Sequence, residues 1–488
     1  MNGGVIPRGS LSLLVQGLEV SLLAGFFAKT RSIGKYSHNF EKHTVDAIAG
    51  NIVGFDLFGR QLIILNSYEV AKDMLATNAS IYSDRPSMVM SGKLMGAENT
   101  GFSQLRYGLE WREQRAMLHQ LMTRKSMTQF HGALRRAALR ILVGALENSL
   151  ALGDLLRLHV GAVILKTTYG IDVKNSEDRY LQVVVRLVKA VNFTFFGQHL
   201  VDFFPILLHI PRSVPFVQFR KEAEFLRATR EELLNRPFEY ALSQEPLSLV
   251  NRLIQSGRNP RSVRLATGAL YIAGVDTTLI TFKTFLTAMM LYPEVQKKAQ
   301  EELDAVLGTS SKHEVLRLPT FDDQDKLPYL NAVIKEVHRW HPVFPLGVSH
   351  APVEDNVYAG YFIPRDSIIM PNQWAMSRDE HHYPEPEQFR PERFLGDNPA
   401  LDPKEFILGF GRRKCVGLHF ADAVIFITFA SILSTFNITK RTGDRYVEPN
   451  LRVGHAGPID EAACDLAPRS PGTAALINTS LESLDDSS

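Results

Sequence analysis

The stretch Ser262–Leu291 constrains this chain most. Read as one helix it is about 45 Å long at 1.5 Å per residue, and Pro293 stops it. It is apolar on nearly all sides, so it has to be buried. Helical periodicity also runs through Tyr68–Thr77, Trp111–Met122, Met127–Ser149, Leu155–Thr168, Arg220–Ser243, Glu294–Leu307, Tyr329–Trp340 and Ala421–Phe436. Ile52–Leu65 reads as a small hairpin and Val357–Pro364 as a strand pair. Asn192–Phe219, dense in Phe and Pro, reads as loops. The fold class is mainly α, with a small β region. At about 150 residues per domain, 488 residues would suggest about three domains. No internal repeat or long Gly/Ser linker divides the chain, so residues 50–470 are expected to form one domain. Residues 471–488 are a polar tail ending Asp485-Asp486-Ser487-Ser488, expected to be disordered.

Composition removes several function classes. The chain is 45% hydrophobic and 22% charged, as in a soluble globular core. A formal net charge of +2 offers no excess to hold nucleic acid. Two cysteines exclude a disulfide framework and a four-cysteine zinc site. The leader, residues 1–49, holds Gly9–Ala28, free of Lys and Arg and followed by Lys29, Arg31 and Lys35. Its length suits a membrane anchor with the rest of the chain cytoplasmic. Ser10, Ser12, Gln16, Glu19 and Ser21 interrupt it, which leaves an amphipathic surface helix open as the other reading. The same interruptions disfavour a cleaved signal peptide.

The chemistry concentrates around Cys415, in Leu408-Gly409-Phe410-Gly411-Arg412-Arg413-Lys414-Cys415-Val416-Gly417. Three glycines let the backbone turn tightly and approach a flat ligand. Three cations before the cysteine, and a helix starting after it, are expected to lower the thiol pKa. Such a thiolate suits a haem iron, or a nucleophile if a His base stands by it. Upstream, Ala273-Gly274-Val275-Asp276-Thr277-Thr278 interrupts the apolar rod. Helix propensity does not explain Gly and Asp there. The Thr277 hydroxyl can bond the carbonyl four residues back, bend the helix and open a groove for a small polar ligand. Glu336 and Arg339 share a helix face, with Pro391-Glu392-Arg393-Phe394 downstream. Trp111 and Arg115 share another, with His119 one turn on.

These segments resemble those of the cytochrome P-450 family of haem-thiolate monooxygenases, in the microsomal style of filamentous fungi. The family's loop reads Phe-x-x-Gly-x-Arg-x-Cys-x-Gly; Gly411, Arg413, Cys415 and Gly417 match it, and Leu408 replaces the usual Phe. That Phe normally packs beside the sulfur. Asp276-Thr277 is similar to the oxygen-binding segment, Glu336, Arg339 and Arg393 to the buried Glu–Arg–Arg cluster, and Trp111-x-x-x-Arg115 to the helix against the haem. Gly360-Tyr361-Phe362-Ile363-Pro364 also matches a family strand and turn. The family's Pro-rich hinge after the membrane helix has no counterpart before residue 50.

The resemblance implies a cytochrome P-450 fold, a large helical domain binding a b-type haem (heme b). Cys415 would be the axial iron ligand. Arg413, Trp111, Arg115 and His119 would take the propionates. Thr277 and Asp276 would deliver protons to dioxygen, and Glu336, Arg339 and Arg393 would be structural. It implies a monooxygenase using O2 on a small hydrophobic substrate of terpenoid, steroid or polycyclic aromatic type, in secondary metabolism or xenobiotic oxidation. The substrate side would include Ser87–Phe102, Phe193–Phe204, Ala269–Ala273 and Pro345–Val348. Electrons would come from an NADPH-dependent flavoprotein reductase, since no Gly-rich dinucleotide fingerprint occurs. It would dock at a basic face holding Arg412 and Lys414. The location would be the endoplasmic reticulum membrane, with the catalytic domain facing the cytosol. The alternatives are a haem-thiolate isomerase or dehydratase that does not use O2, a haem carrier, and a cysteine hydrolase.

Overall fold

The computed structural model describes residues 50–57, 59–99, 102–147, 152–191, 199–210, 218–244, 248–309, 315–441 and 464–485. The leader, with the segment 9–28 read above as a membrane anchor or an amphipathic helix, lies outside them, as does much of the Phe-rich stretch 192–219. Eight helices organise the site. They are α1 (Leu109–Leu121), α2 (His131–Glu147), α3 (Leu152–Tyr169), α4 (Gln218–Ser243), α5 (Pro260–Leu291), α6 (Pro328–Trp340), α7 (Leu418–Thr435) and α8 (Thr473–Asp485).

The apolar rod is α5. The Asn259 side chain accepts from the N–H groups of Arg261 and Ser262 to open it, and Pro260 takes the first helical position. α5 lies at the centre of the helices, packed against α1, α3, α4, α6 and α7. Among the described residues, α5 and α7 are the two helices long and apolar enough to cross a membrane. Both are largely buried inside the protein, so their apolarity is accounted for by the core. Phe285 on α5 stacks on Phe429 of α7 with ring centroids 3.7 Å apart.

The β region is small, as expected. β1 (Ile52–Leu57) and β2 (Arg60–Leu65) form an antiparallel hairpin. Gly59 closes it at φ +85°, its N–H donating to the Asp56 carboxylate at 2.9 Å. β3 (Asn356–Tyr358) and β4 (Tyr361–Ile363) pair as a second hairpin. β5 (Ile368–Pro371) then lies parallel to β2, Leu62 opposite Ile368. β6 (Phe436–Lys440) pairs with β7 (Cys464–Pro468).

Two expectations need correction. Residues 471–485 are ordered: Thr473–Asp485 is α8, packed along α2 with Ile477 fully buried. The Arg136 guanidinium of α2 donates to the Leu484 carbonyl at 3.2 Å. Tyr68–Thr77 is helical throughout, but from Asp73 it widens into a π-helical turn.

Candidate active site

The segment carrying Cys415 is held by its own backbone. The Cys415 N–H donates to the Leu408 carbonyl at 2.7 Å, and the Arg413 N–H to that of Phe410 at 3.0 Å. Phe410 anchors the loop in a cluster with Leu75 and Phe406. Gly409 and Gly411 have φ of +79° and +50°. A Cβ on Gly411 would stand 2.4 Å from the Leu75 carbonyl oxygen. Gly411 is therefore demanded by the close approach of the π-helical turn Asp73–Thr77. The Cys415 side chain is open on one side and crowded on the others.

Burial pushes the Cys415 thiol up, against the lowering expected from its cationic neighbours. The N–H groups of Gly417 and Leu418, at the start of α7, oppose that rise, as does Arg115; Asp422 adds to it. The three cations adjacent in sequence face elsewhere. Arg413 donates to the carbonyls of Ser83 and Leu105 at 2.8 and 2.7 Å. Arg412 lies 5.0 Å over the Tyr107 ring, and the Lys414 ammonium stands 3.6 Å from Glu405. The cation that acts on the sulfur comes from α1, where Arg115 donates to the Lys414 carbonyl beside the cysteine.

Trp111, on the same helix as Arg115, is buried, with the Arg413 guanidinium 4.5 Å over its ring. Burial pulls Arg413 down to about 10, still cationic at neutral pH. His119 is not brought to this group. It is exposed on α1, about 12 Å along the axis from Trp111. Sequence reasoning missed two neighbours, Arg85 and His350. The buried Arg85 donates to the carbonyls of Ser103 at 2.8 Å, Val348 at 3.0 Å and Ser349. The buried His350 lies 2.8 Å through Nδ1 from the Tyr82 carbonyl. A carbonyl only accepts, so Nδ1 carries the proton. Burial first, then Arg85, depresses its pKa and keeps the ring neutral.

α5 packs against α1, the helix that carries Trp111 and Arg115. Ala269, Ala273, Asp276, Thr277 and Ile280 recur at helical spacing and form a stripe with accessible surface, while Tyr271, Val275 and Leu279 are buried. The Thr277 hydroxyl donates to the Ala273 carbonyl at 2.7 Å, the bond expected from sequence, and α5 runs continuously through this point. Asp276 lies beside it on the same stripe.

The carboxylate of Glu336 accepts from Arg339 at 2.7 and 2.8 Å, from Arg393 at 3.2 Å and from the Arg390 N–H at 2.8 Å. Both Glu336 and Arg339 are completely buried. The other N–H groups of Arg339 reach the carbonyls of Ser377, Pro386 and Gln388. Those of Arg393 reach Pro384, Glu385 and Gln388. The cluster thus fixes the irregular chain between Ser377 and Gln388.

The chain matches the family described as Cytochrome P450 over residues 21–454. It belongs to the cytochrome P450 family. It is 38% identical over 449 residues to Cytochrome P450 monooxygenase 208 of Postia placenta, covering 88% of this chain and 85% of that one. Cytochrome P450 monooxygenase COX2 of Coprinopsis cinerea is 34% identical over 458 residues, 89% of this chain and 86% of its own. A zebra fish cytochrome P450 solved with progesterone has the same fold, with a TM-score of 0.72 at 23% identity over 93% of this P450 and 100% of that chain. This P450 is thus an oxidoreductase with a haem-thiolate cofactor.

The residues present fit that cofactor. Trp111 Nε1 and Arg413 Nη1 are buried with no hydrogen-bond partner among the described residues. A buried donor left unpaired costs about 1–3 kcal/mol, which an anionic carboxylate would recover. Arg413 lies two residues from Cys415, Arg115 donates to the carbonyl beside that cysteine, and Ala269, Ala273 and Ile280 leave apolar surface on α5.

Proposed function

We propose that this P450 inserts one oxygen atom of O2 into a hydrophobic organic substrate, with Cys415 as the axial ligand of haem iron. The observation that carries this is the pair of buried, unpartnered donors, Trp111 Nε1 and Arg413 Nη1, grouped with the Cys415 loop. Arg413, Trp111 and Arg115 would bind the haem propionates through charge-assisted hydrogen bonds. Haem bound there would supply oxygen activation, with thiolate donation favouring O–O cleavage. With iron bound the sulfur would be held as thiolate, a state that the N–H groups of Gly417 and Leu418 and the charge of Arg115 favour against burial. Thr277 Oγ1 would hold a proton at the stripe of α5, anchored on the Ala273 carbonyl, with Asp276 replenishing it. Glu336, Arg339 and Arg393 would keep the cysteine loop's support in register.

Within Ala269–Ala273 the side chains of Ala269 and Ala273 are accessible, and Pro345–Val348 is apolar, which suits a terpenoid, steroid or polycyclic aromatic substrate. The role would be secondary metabolism or xenobiotic oxidation. Residues 50–470 would act as one catalytic unit, anchored to the endoplasmic reticulum by residues 9–28 and facing the cytosol. Electrons would arrive from an NADPH-dependent flavoprotein reductase docking near Arg412 and Lys414.

The test is the carbon-monoxide difference spectrum of the reduced, purified protein. A strongly red-shifted Soret band is expected, and Cys415→Ala should abolish it. Thr277→Ala should keep the band and release peroxide in place of product when reductase and NADPH are supplied. A band that survives Cys415→Ala sinks the assignment.

A further inference from the structure

We infer that Asp202 is a positioning residue: its carboxylate clasps Ser87–Leu94 over the substrate side of the haem site and so limits how fast bulky ligands enter and leave. Asp202 lies on the short helix Leu200–Phe203 and is 1% exposed. One oxygen, Oδ1, accepts from the N–H groups of Val89 and Met90, each at 2.8 Å. These two donors open the π-helical turn Val89–Leu94, whose own bonds run from Lys93 to Met88 and from Met95 to Met90. The first N–H groups of such a turn have no acceptor within it. Both residues are buried, so the Asp202 carboxylate takes the place that water would otherwise fill.

Arg60 of β2 completes the clasp. It donates to the Ser87 carbonyl at 2.8 Å and to the Asp202 carbonyl at 3.4 Å. The chain on either side of the clasped segment is fastened at the candidate active site. Arg85 binds the Ser103 carbonyl, and Arg413 binds those of Ser83 and Leu105. The segment is therefore hinged where the cofactor cations gather and tied at its middle to a helix more than a hundred residues away in sequence. Phe203, next to Asp202, packs in one cluster with Met88 of the segment and Leu346 of the loop Pro345–Val348. The clasp thus abuts the loop assigned above to the substrate. Opening the segment separates Asp202 from both N–H groups, a cost borne only by the closed-to-open step.

The inference rests on the proposed function, and the test separates the two. Stopped-flow Soret shifts of the holoenzyme follow the entry of clotrimazole, a bulky azole, and of imidazole, a small one. Asp202→Ala should raise both association and dissociation rates of clotrimazole at least tenfold while the imidazole rates stay within twofold. Asp202→Asn should behave close to wild type, because its amide oxygen still accepts both N–H groups. Clotrimazole rates unchanged by Asp202→Ala overturn the inference. So does an equal acceleration of both azoles, which is general loosening rather than a clasp. Should Asp202→Ala not hold haem, Arg60→Gln is the second variant. It frees the Ser87 carbonyl and should accelerate clotrimazole in the same way; unchanged rates there overturn the clasp equally. A wild-type protein lacking the red-shifted carbon-monoxide band would instead refute the proposed function.

Discussion

Glu336 is one anion between two guanidiniums, buried where water cannot help. The arrangement is stable because Arg339 and Arg393 spend their remaining N–H groups on backbone carbonyls between Ser377 and Gln388. Those carbonyls have no regular secondary structure to satisfy them, so the cluster and the irregular chain depend on each other. Replacing Glu336 by Gln removes the charge and keeps the shape. It should cost about 3–5 kcal/mol, the usual penalty for leaving a buried charge uncompensated. The expected outcome is a thermal midpoint several degrees lower and poor haem retention, read by melting and by the carbon-monoxide band. An unchanged midpoint would show that the carbonyls alone satisfy the two arginines. The cysteine teaches the opposite lesson about charge. Arg412, Arg413 and Lys414 adjoin Cys415 in sequence, yet Arg115, three hundred residues away, is the cation that reaches the sulfur.

At the level of elements, periodicity located the helices because each buries one face or all of its faces, and burial writes itself into the spacing of apolar residues. The exceptions are the helices Arg179–Val191 and Leu249–Gln255, which the expected set lacks, and α8. Leu476, Ile477, Leu481 and Leu484 stand at helical spacing, but Asn478, Thr479, Glu482 and the acidic end dominate the composition. Only the surface of α2 makes that narrow stripe worth burying. The entry to α8 is fixed by Arg469, which pairs with Asp304 at 2.7 and 2.9 Å. Ile477→Asp should place an unpaired carboxylate at a fully buried position. Its cost is about 3–5 kcal/mol, capped by the free energy of peeling α8 away. Faster proteolysis after Ser470 and a lower thermal midpoint are expected; resistance equal to wild type would contradict the packing. Arg85 and His350 were illegible for a different reason. Each comes from an irregular stretch, and no spacing connects either with Arg413; tertiary structure alone makes them neighbours. The Glu336–Arg339 pair, by contrast, lies on a single helix, so its face was readable before any fold was known.

Across the whole molecule, the core that encloses the site also encloses imidazoles. His159, His338 and His341 are held down to about 4, each mainly by burial, and burial also depresses His350 well below its usual value. An unfolded chain returns each to about 6.5. The unfolded state therefore takes up protons first as the solution is acidified. Stability from this source is complete above pH 6.5 and drains away between pH 6.5 and 4, at about 1.4 kcal/mol per pH unit for each histidine. His341 isolates the effect. Its ring nitrogens reach no partner beyond its own backbone among the described residues, so an apolar ring loses little there. His341→Phe should melt close to wild type at pH 7.5 and lose less stability than wild type by pH 4.5, because one proton uptake has been removed. Thermal midpoints across that range decide it. Parallel curves for the two proteins would mean that His341 is not kept neutral in the folded state.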